Sequence, residues 1–108
     1  MKLLTKEILK RFEKTGRQEE NPTVIAKFFN PCGRGHWYAT EYHPEERLFF
    51  GFVRLFYDHN DEWGDFSLDE LEQLRCPPLG LPIERDLHFT PKPFDEIGFT
   101  PALSRKGG

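Results

Sequence analysis

Residues 47–57, RLFFGFVRLFY, decide the fold that this sequence predicts. Successive side chains of a β-strand point to opposite faces of the sheet, so this run places Phe50 and Phe52 on one face and Phe49 on the other. Apolar residues on both faces are typical of a central strand that is buried on both sides. Gly51, in the middle of the run, predicts a β-bulge or a close approach of a second backbone.

Runs of similar composition on either side predict the neighbouring strands. Residues 23–29 and 36–42 precede the central run, and residues 62–66 and 83–89 follow it. Turn-forming residues separate the first of these runs, as expected of consecutive strands joined by short loops. We therefore expect a mainly antiparallel sheet.

Helix signals occur near the amino terminus and after the fourth strand. In residues 4–14 apolar side chains recur at four-residue spacing and form one stripe, and Thr5 can cap the helix. In residues 67–75 Ser67 and Glu70 form a capping box, in which the serine hydroxyl accepts a hydrogen bond from the glutamate amide.

The predicted fold class is α+β, with a mainly antiparallel sheet of four to five strands and two main helices packed on it. At 108 residues the chain has the length of one domain. We expect a single domain over residues 1–102 and a flexible tail over residues 103–108.

The composition is that of a folded protein. Sixteen aromatic residues, eleven of them Phe, provide enough apolar surface for a core and exclude a wholly disordered chain. No apolar run approaches the roughly 20 residues of a membrane-spanning helix, and Lys2, Lys6 and Glu7 place charges where a signal peptide would be apolar. We expect a cytoplasmic protein with no membrane partner.

Charge is distributed unevenly along the chain, whose formal net charge is −3. Residues 1–40 have eight Lys and Arg against four acids, residues 41–72 have two against ten, and residues 73–108 have five against four. An acidic middle repels a phosphate backbone, so duplex nucleic acid is not an expected partner, whereas a basic protein surface is. The alternative is that these carboxylates only keep the domain soluble.

Metal and cofactor sites are not predicted. Cys32 and Cys76 are the only cysteines, and we expect them to be reduced thiols in the cytoplasm. Cys32 and His36 have the spacing of half a zinc site, but Cys76 and His88 do not form a matching second half. Because the chain also has no phosphate-binding loop, we expect neither a bound metal nor a cofactor.

Residues 83–89, IERDLHF, contain several candidate catalytic side chains. In a strand, Glu84, Asp86 and His88 would lie on one face, with neighbours about 6.5–7 Å apart. Two carboxylates and an imidazole in a row can perform general acid–base catalysis or bind a divalent cation. The alternative is a solvent-facing strand edge.

Arg85 would share the other face of that strand with apolar side chains, and a buried guanidinium requires a carboxylate partner. In residues 36–42 alternation places Glu41 on the same face as Trp37, so Glu41 is the expected partner and Glu62 the second choice. Such a pair is either structural or part of a site. The candidate site residues, none with an assigned catalytic role, are Glu41, Glu84, Arg85, Asp86 and His88.

Four stretches carry a resemblance to a known family. They are residues 37–41 (WYATE), 48–51 (LFFG), 66–71 (FSLDEL) and 80–89 (GLPIERDLHF). Together they resemble the bacterial family called domain of unknown function 2958, over nearly the whole chain. The resemblance implies a small cytosolic protein of plasmids and integrative elements with a role accessory to mobile-element or DNA-processing systems, and it implies no catalytic residues.

Three function hypotheses remain open from the sequence. The first is a non-enzymatic module that binds a protein partner through aromatic side chains and the acidic middle of the chain. The second is a small hydrolase or metal-dependent enzyme, which requires the candidate site residues to meet in one concave pocket. The third is a single-stranded nucleic-acid binder whose sheet exposes Tyr38, Tyr42 and Trp63 for base stacking.

Overall fold

The computed structural model describes residues 2–55 and 61–98. In chain order, the elements are α1 (Lys6–Thr15), β1 (Thr23–Val24), β2 (Ala26–Phe29), β3 (His36–His43), β4 (Leu48–Arg54), β5 (Glu62–Ser67), α2 (Leu68–Gln73), β6 (Arg75–Cys76), β7 (Leu81–Pro82), β8 (Glu84–Arg85), β9 (Lys92–Pro93) and a 3₁₀ turn (Phe94–Glu96). A five-stranded sheet has the order β5–β4–β3–β2–β8, with all neighbours antiparallel. Two short antiparallel pairs, β1–β9 and β6–β7, accompany it.

The predicted α+β class and the antiparallel sheet are confirmed, and the central run forms β4 between β3 and β5. The expectation of two main helices packed on the sheet is wrong, because only α1 is a main helix. The second helix, α2, has six residues and ends where Leu74 takes an extended conformation, at φ −63° and ψ 138°. Residues 56–57 of the central run and the predicted tail, residues 103–108, lie outside the described residues.

The predicted strand over residues 83–89 is limited to Glu84–Arg85. Asp86 ends it, because its Oδ1 accepts a hydrogen bond from the amide of His88 at 2.9 Å and its carbonyl accepts one from Phe89 at 3.3 Å. This turn is one that aspartate side chains favour. Glu84, Asp86 and His88 therefore do not form one regular row.

The main core lies between α1 and one face of the sheet. Phe49 is at its centre, with ring centroids 5.8 Å from Phe12, 5.2 Å from Phe28 and 5.3 Å from Phe66. Such tilted and offset aromatic contacts add to the stabilisation from buried area. The other buried residues of this core are Leu3, Ile25, Ala26, Trp37, Ala39, Leu68, Leu71, Cys76 and Ile83.

The opposite face of the sheet has a smaller core. Phe52 is buried there, and the ring of Phe94 lies 5.3 Å from it. The pairing of β1 with β9 and a 2.8 Å hydrogen bond from the amide of Phe94 to the carbonyl of Pro22 hold the covering segment. The remaining members of this cluster are Val24, Tyr38, Phe89 and Ile97.

A bulge interrupts β3 opposite Gly51, as the central glycine predicts. Ala39 pairs with Gly51 and Glu41 with Phe50, so Thr40 is the extra residue. Thr40 is 1% exposed, and its hydroxyl donates a hydrogen bond to the carbonyl of Phe50 at 3.1 Å. A Cβ atom on Gly51 would lie 1.9 Å from the carbonyl oxygen of Tyr38. Both expectations for Gly51, a bulge and a close backbone, are confirmed.

The bulge changes the alternation of side chains along β3. Trp37 belongs to the main core, but beyond Thr40 it is Tyr42, not Glu41, that packs on this core. The ring of Tyr42 lies 4.8 Å from that of Phe49. The prediction that Glu41 shares a face with Trp37 is therefore wrong, because one inserted residue reverses the faces of all that follow.

Ser67 caps α2 as the sequence predicts, since its hydroxyl accepts a hydrogen bond from the amide of Glu70 at 3.1 Å. We expect Ser67→Ala to lower the free energy of unfolding by about 1 kcal/mol. Urea denaturation followed by circular dichroism measures this loss. Ser67→Asp, which retains an oxygen acceptor, should restore most of the stability. An unchanged midpoint for the alanine variant would contradict the assignment of this cap.

Candidate functional site

Glu41 and Arg85 do not form the predicted ion pair. Glu41 accepts a hydrogen bond from the amide of Gln18 at 2.9 Å, and its other oxygen lies 3.5 Å from Nε2 of His43. Arg85 donates a hydrogen bond to the carbonyl of Lys2. Glu62, the second predicted partner, lies on β5, at the edge of the sheet opposite to β8. The bulge at Thr40 is the reason for the first error.

Gln18 explains how Glu41 is held. Its side-chain amide donates to the carbonyls of Thr23 at 2.9 Å and Thr40 at 3.0 Å, and its oxygen accepts from the amide of Thr23 at 2.7 Å. The connector after α1 is thus fixed to the bulge by one amide side chain. Glu41 adds the hydrogen bond that it accepts from the amide of Gln18, so the role of Glu41 here is structural.

The five candidate site residues do not meet in one pocket. Glu41 lies with Arg17, His43 and Asp65 in a depression of about 370 Å³. Arg85 faces a groove beside α1, while His88 lines a different pocket. Asp86 borders both, and Glu84 pairs with Phe29 on β2. The convergence that an enzyme with this residue set requires is not present.

Asp86 and His88 line a pocket of about 350 Å³ on the side of the sheet opposite to the main core. We call it the basic pocket, and its described lining residues are Lys27, Tyr38, Arg54, Asp86, His88, Phe89, Lys92, Ile97 and Gly98. The ammonium of Lys27 lies 3.7 Å from a carboxylate oxygen of Asp86 and 5.6 Å from the ring centre of Tyr38. The ammonium of Lys92 lies 5.4 Å from the ring centre of Phe89.

Arg54, which lines the basic pocket, belongs to a buried charge pair. The Nε atom of Arg54 is 3.8 Å from Oδ2 of Asp61, and their side chains are 6% and 0% exposed. Oδ1 of Asp61 also accepts a hydrogen bond from the amide of Leu55 at 2.9 Å. This pair is not among those predicted from the sequence. The sequence feature that points to the pair is Arg54, a charged residue inside the apolar run of residues 47–57.

His36 adjoins this charged region and stacks on Tyr38, with ring centroids 6.1 Å apart. Burial lowers the pKa of His36 from its usual 6.5, and the positive charges of Lys27 and Arg54 lower it further. The carboxylate of Asp86 acts in the opposite direction. His36 is therefore favoured in its neutral form in the folded protein.

Stability should depend on pH through His36. The unfolded chain binds a proton at this histidine near pH 6.5 and the folded chain only at lower pH. We therefore expect the free energy of unfolding to decrease as the pH falls below 6.5. Urea denaturation from pH 8 to pH 5 should show a shallower decrease for His36→Gln than for the wild type. Parallel profiles would contradict this prediction.

Exposed carboxylates gather at the other end of β3 and β4. We call this surface the acidic end; it consists of Glu45, Glu46, Asp69, Glu70 and Glu72, all exposed. Arg47 joins its two segments, because its guanidinium lies 2.7 Å from Asp69 and 3.7 Å from Glu72. Its carbonyl accepts a hydrogen bond from Leu68 at 3.0 Å. The hydrogen bond from Arg47 lowers the pKa of Asp69.

The aromatic residues predicted to stack on nucleic-acid bases are mostly not accessible. Tyr38 is 4% exposed, and the ring of Tyr42 packs against those of Phe12 and Phe49. Trp63 is 37% exposed, but its ring lies 4.7 Å from that of Phe94. The expectation that all three rings are exposed is wrong, because the segment after β8 covers Tyr38 and Tyr42 packs on the main core, whereas Trp63 is exposed.

Cys32 and Cys76 are free thiols, and burial raises the pKa of Cys76. Within residues 2–55 and 61–98, no three His, Cys, Asp or Glu side chains are grouped as metal ligands. That the protein binds no metal and no cofactor stays a prediction. None of the helices in the described part of the chain is long and apolar enough to cross a membrane.

The family model described as "Protein of unknown function (DUF2958)" matches residues 3–94. The match covers most of the chain, including both ends of the sheet, and the chain therefore belongs to this family. No curated protein and no solved structure matches the chain.

Proposed function

We propose that the protein is a non-enzymatic binding module of the cytoplasm that docks a basic protein surface on its acidic end. The observation that carries this proposal is the gathering of five exposed carboxylates from two segments around Arg47. Their excess negative charge favours encounter with a positive surface and disfavours nucleic acid.

The dispersal of the candidate site residues supports a binding role over an enzymatic one. A catalytic site requires its acid, base and stabilising groups within a few ångströms of one reacting atom. Glu41 is instead bound to Gln18, and Arg85 is bound to the backbone of Lys2.

The resemblance of the sequence to a family of plasmids and integrative elements gives the partner a context. It implies a role accessory to mobile-element or DNA-processing systems. Proteins that process DNA bind phosphates through Lys and Arg, so they present basic surfaces of the kind that the acidic end would attract.

Affinity purification with two matched variants tests this function. In the first variant, Glu45, Glu46 and Glu72 are changed to Gln; in the control, the exposed Glu13, Glu19 and Glu20 are changed to Gln. Both variants lose three negative charges. Binding to the partner captured by the wild type from its host should be lost in the first variant, be retained in the control and weaken with added salt. Equal capture by both variants, or equal loss, would overturn the proposal.

A further inference from the structure

The basic pocket has the charge and shape of a binding site, and it lies apart from the acidic end. In the register of β3 with β4, His43 pairs with Leu48 at the acidic end, and His36 pairs with Arg54 at the pocket. The two surfaces are thus at opposite ends of the same pair of strands. Ligand binding in the basic pocket is therefore separate from the binding of a protein partner at the acidic end.

The charges of the pocket favour an anion. Its described lining residues include three cations, Lys27, Arg54 and Lys92, and one carboxylate, Asp86. Asp86 lies near Lys27, and the buried Asp61 lies near Arg54. No carboxylate in the described part of the chain is within ion-pair distance of Lys92, whose ammonium lies over a phenyl ring. In a chain of net charge −3, this local excess of positive charge is selective for negative ligands.

A divalent cation does not fit the same place. Hard cations take six or more oxygen ligands, with several carboxylates among them. The pocket offers the carboxylate of Asp86, and three positive side chains would repel the metal.

The walls of the pocket favour a flat apolar group beside the charge. Phe89 presents its ring next to the ammonium of Lys92, and Ile97 adds an aliphatic wall. Tyr38 also lines the pocket but is only 4% exposed. The volume of about 350 Å³ is within the range of small-ligand sites. Each of the two ammonium groups lies within cation–π distance of a ring, Lys27 over Tyr38 and Lys92 over Phe89.

We propose that the basic pocket binds a small organic anion that combines a phosphate or carboxylate group with a flat apolar group. Lys92 and Lys27 contact the anionic group, and Phe89 and Ile97 pack against the apolar group. Arg54 adds positive charge from below the ligand. Binding at this pocket requires no partner at the acidic end.

Nuclear magnetic resonance titration of the full chain tests this site. The probes are phenyl phosphate, phenylacetate and the uncharged benzyl alcohol. Saturable chemical-shift changes are expected for the amides of Lys27, Tyr38 and His88 with one or both anions. No such changes are expected with the alcohol. The anion that binds with the higher affinity shows whether the pocket prefers a phosphate or a carboxylate group. Equal affinity for the alcohol, or no saturable shift with either anion, would overturn the proposal.

Two variants of equal charge locate the site. Lys92→Met removes the ammonium and keeps an apolar side chain, and it should weaken binding by about tenfold. Lys10→Met, on the exposed side of α1, should leave the affinity unchanged. If Lys92→Met fails to fold, as judged by circular dichroism, Lys27→Met takes its place. Equal weakening by the pocket variant and the control would show attraction by net charge alone and would refute a built site.

Discussion

Gly51→Ala is expected to destabilise the protein by about 3 kcal/mol, because the new methyl group meets a backbone that cannot yield. A Cβ atom at this position would lie 1.9 Å from the carbonyl oxygen of Tyr38 and 2.8 Å from its carbonyl carbon. Relief requires β3 and β4 to separate beside the bulge, where Thr40 also bonds to Phe50. Urea denaturation measures the loss as a lower midpoint.

Gly64 supplies the matched control for this prediction. It pairs with Gly51 across β4 and β5, and a Cβ atom there would meet nothing within 4 Å. Gly64→Ala should leave stability unchanged or raise it slightly, because alanine loses less backbone entropy on folding. A similar loss for both variants would mean that strand propensity, and not the contact with Tyr38, controls the effect.

Asp61→Asn is expected to cost about 3–5 kcal/mol, since it leaves the buried guanidinium of Arg54 without its neighbouring carboxylate. The asparagine oxygen can still accept the hydrogen bond from Leu55, so the variant removes the charge and retains the shape. The side chain of Asp61 is fully buried, and that of Arg54 is 6% exposed. The free energy of unfolding from urea denaturation checks this value.

Two further variants separate the buried pair from ordinary surface charge. Asp65→Asn changes an exposed carboxylate on β5, the strand that begins directly after Asp61, and should alter stability by less than about 0.5 kcal/mol. The double variant Arg54→Met, Asp61→Leu should be more stable than Asp61→Asn, because it removes the buried guanidinium together with the carboxylate. Additive losses in a double-mutant cycle of Arg54→Met and Asp61→Leu would contradict a coupled pair.

The sequence predicted the features that depend on local pattern. The run around Phe49, apolar on both faces, became the interior strand β4, Ser67 became a cap, and Gly51 marked a close backbone. Each of these follows from residues within a few positions of one another. The α+β class follows in turn, because a two-sided apolar strand requires neighbours and cover.

The errors arose where one residue changes a long-range register. The extra residue Thr40 reversed the faces beyond it, so Glu41 could not reach the apolar side where Arg85 was expected. Asp86 ended a strand that alternation extended to Phe89. The ion pair predicted for Arg85 with Glu41 does not form, and the buried charge pair is instead Arg54 with Asp61, two residues that no periodic pattern in the sequence places together.

The pairing of β3 with β4 also determines how far the two charged surfaces can influence each other. From His36 to His43 the strand spans seven residue steps, or about 23 Å at roughly 3.3 Å per step. The Debye length is about 8 Å at physiological ionic strength and about 30 Å at 0.01 M salt. At physiological ionic strength the acidic end and the basic pocket therefore do not influence each other electrostatically. In dilute buffer they form one dipole, and occupation of one end then changes the affinity at the other.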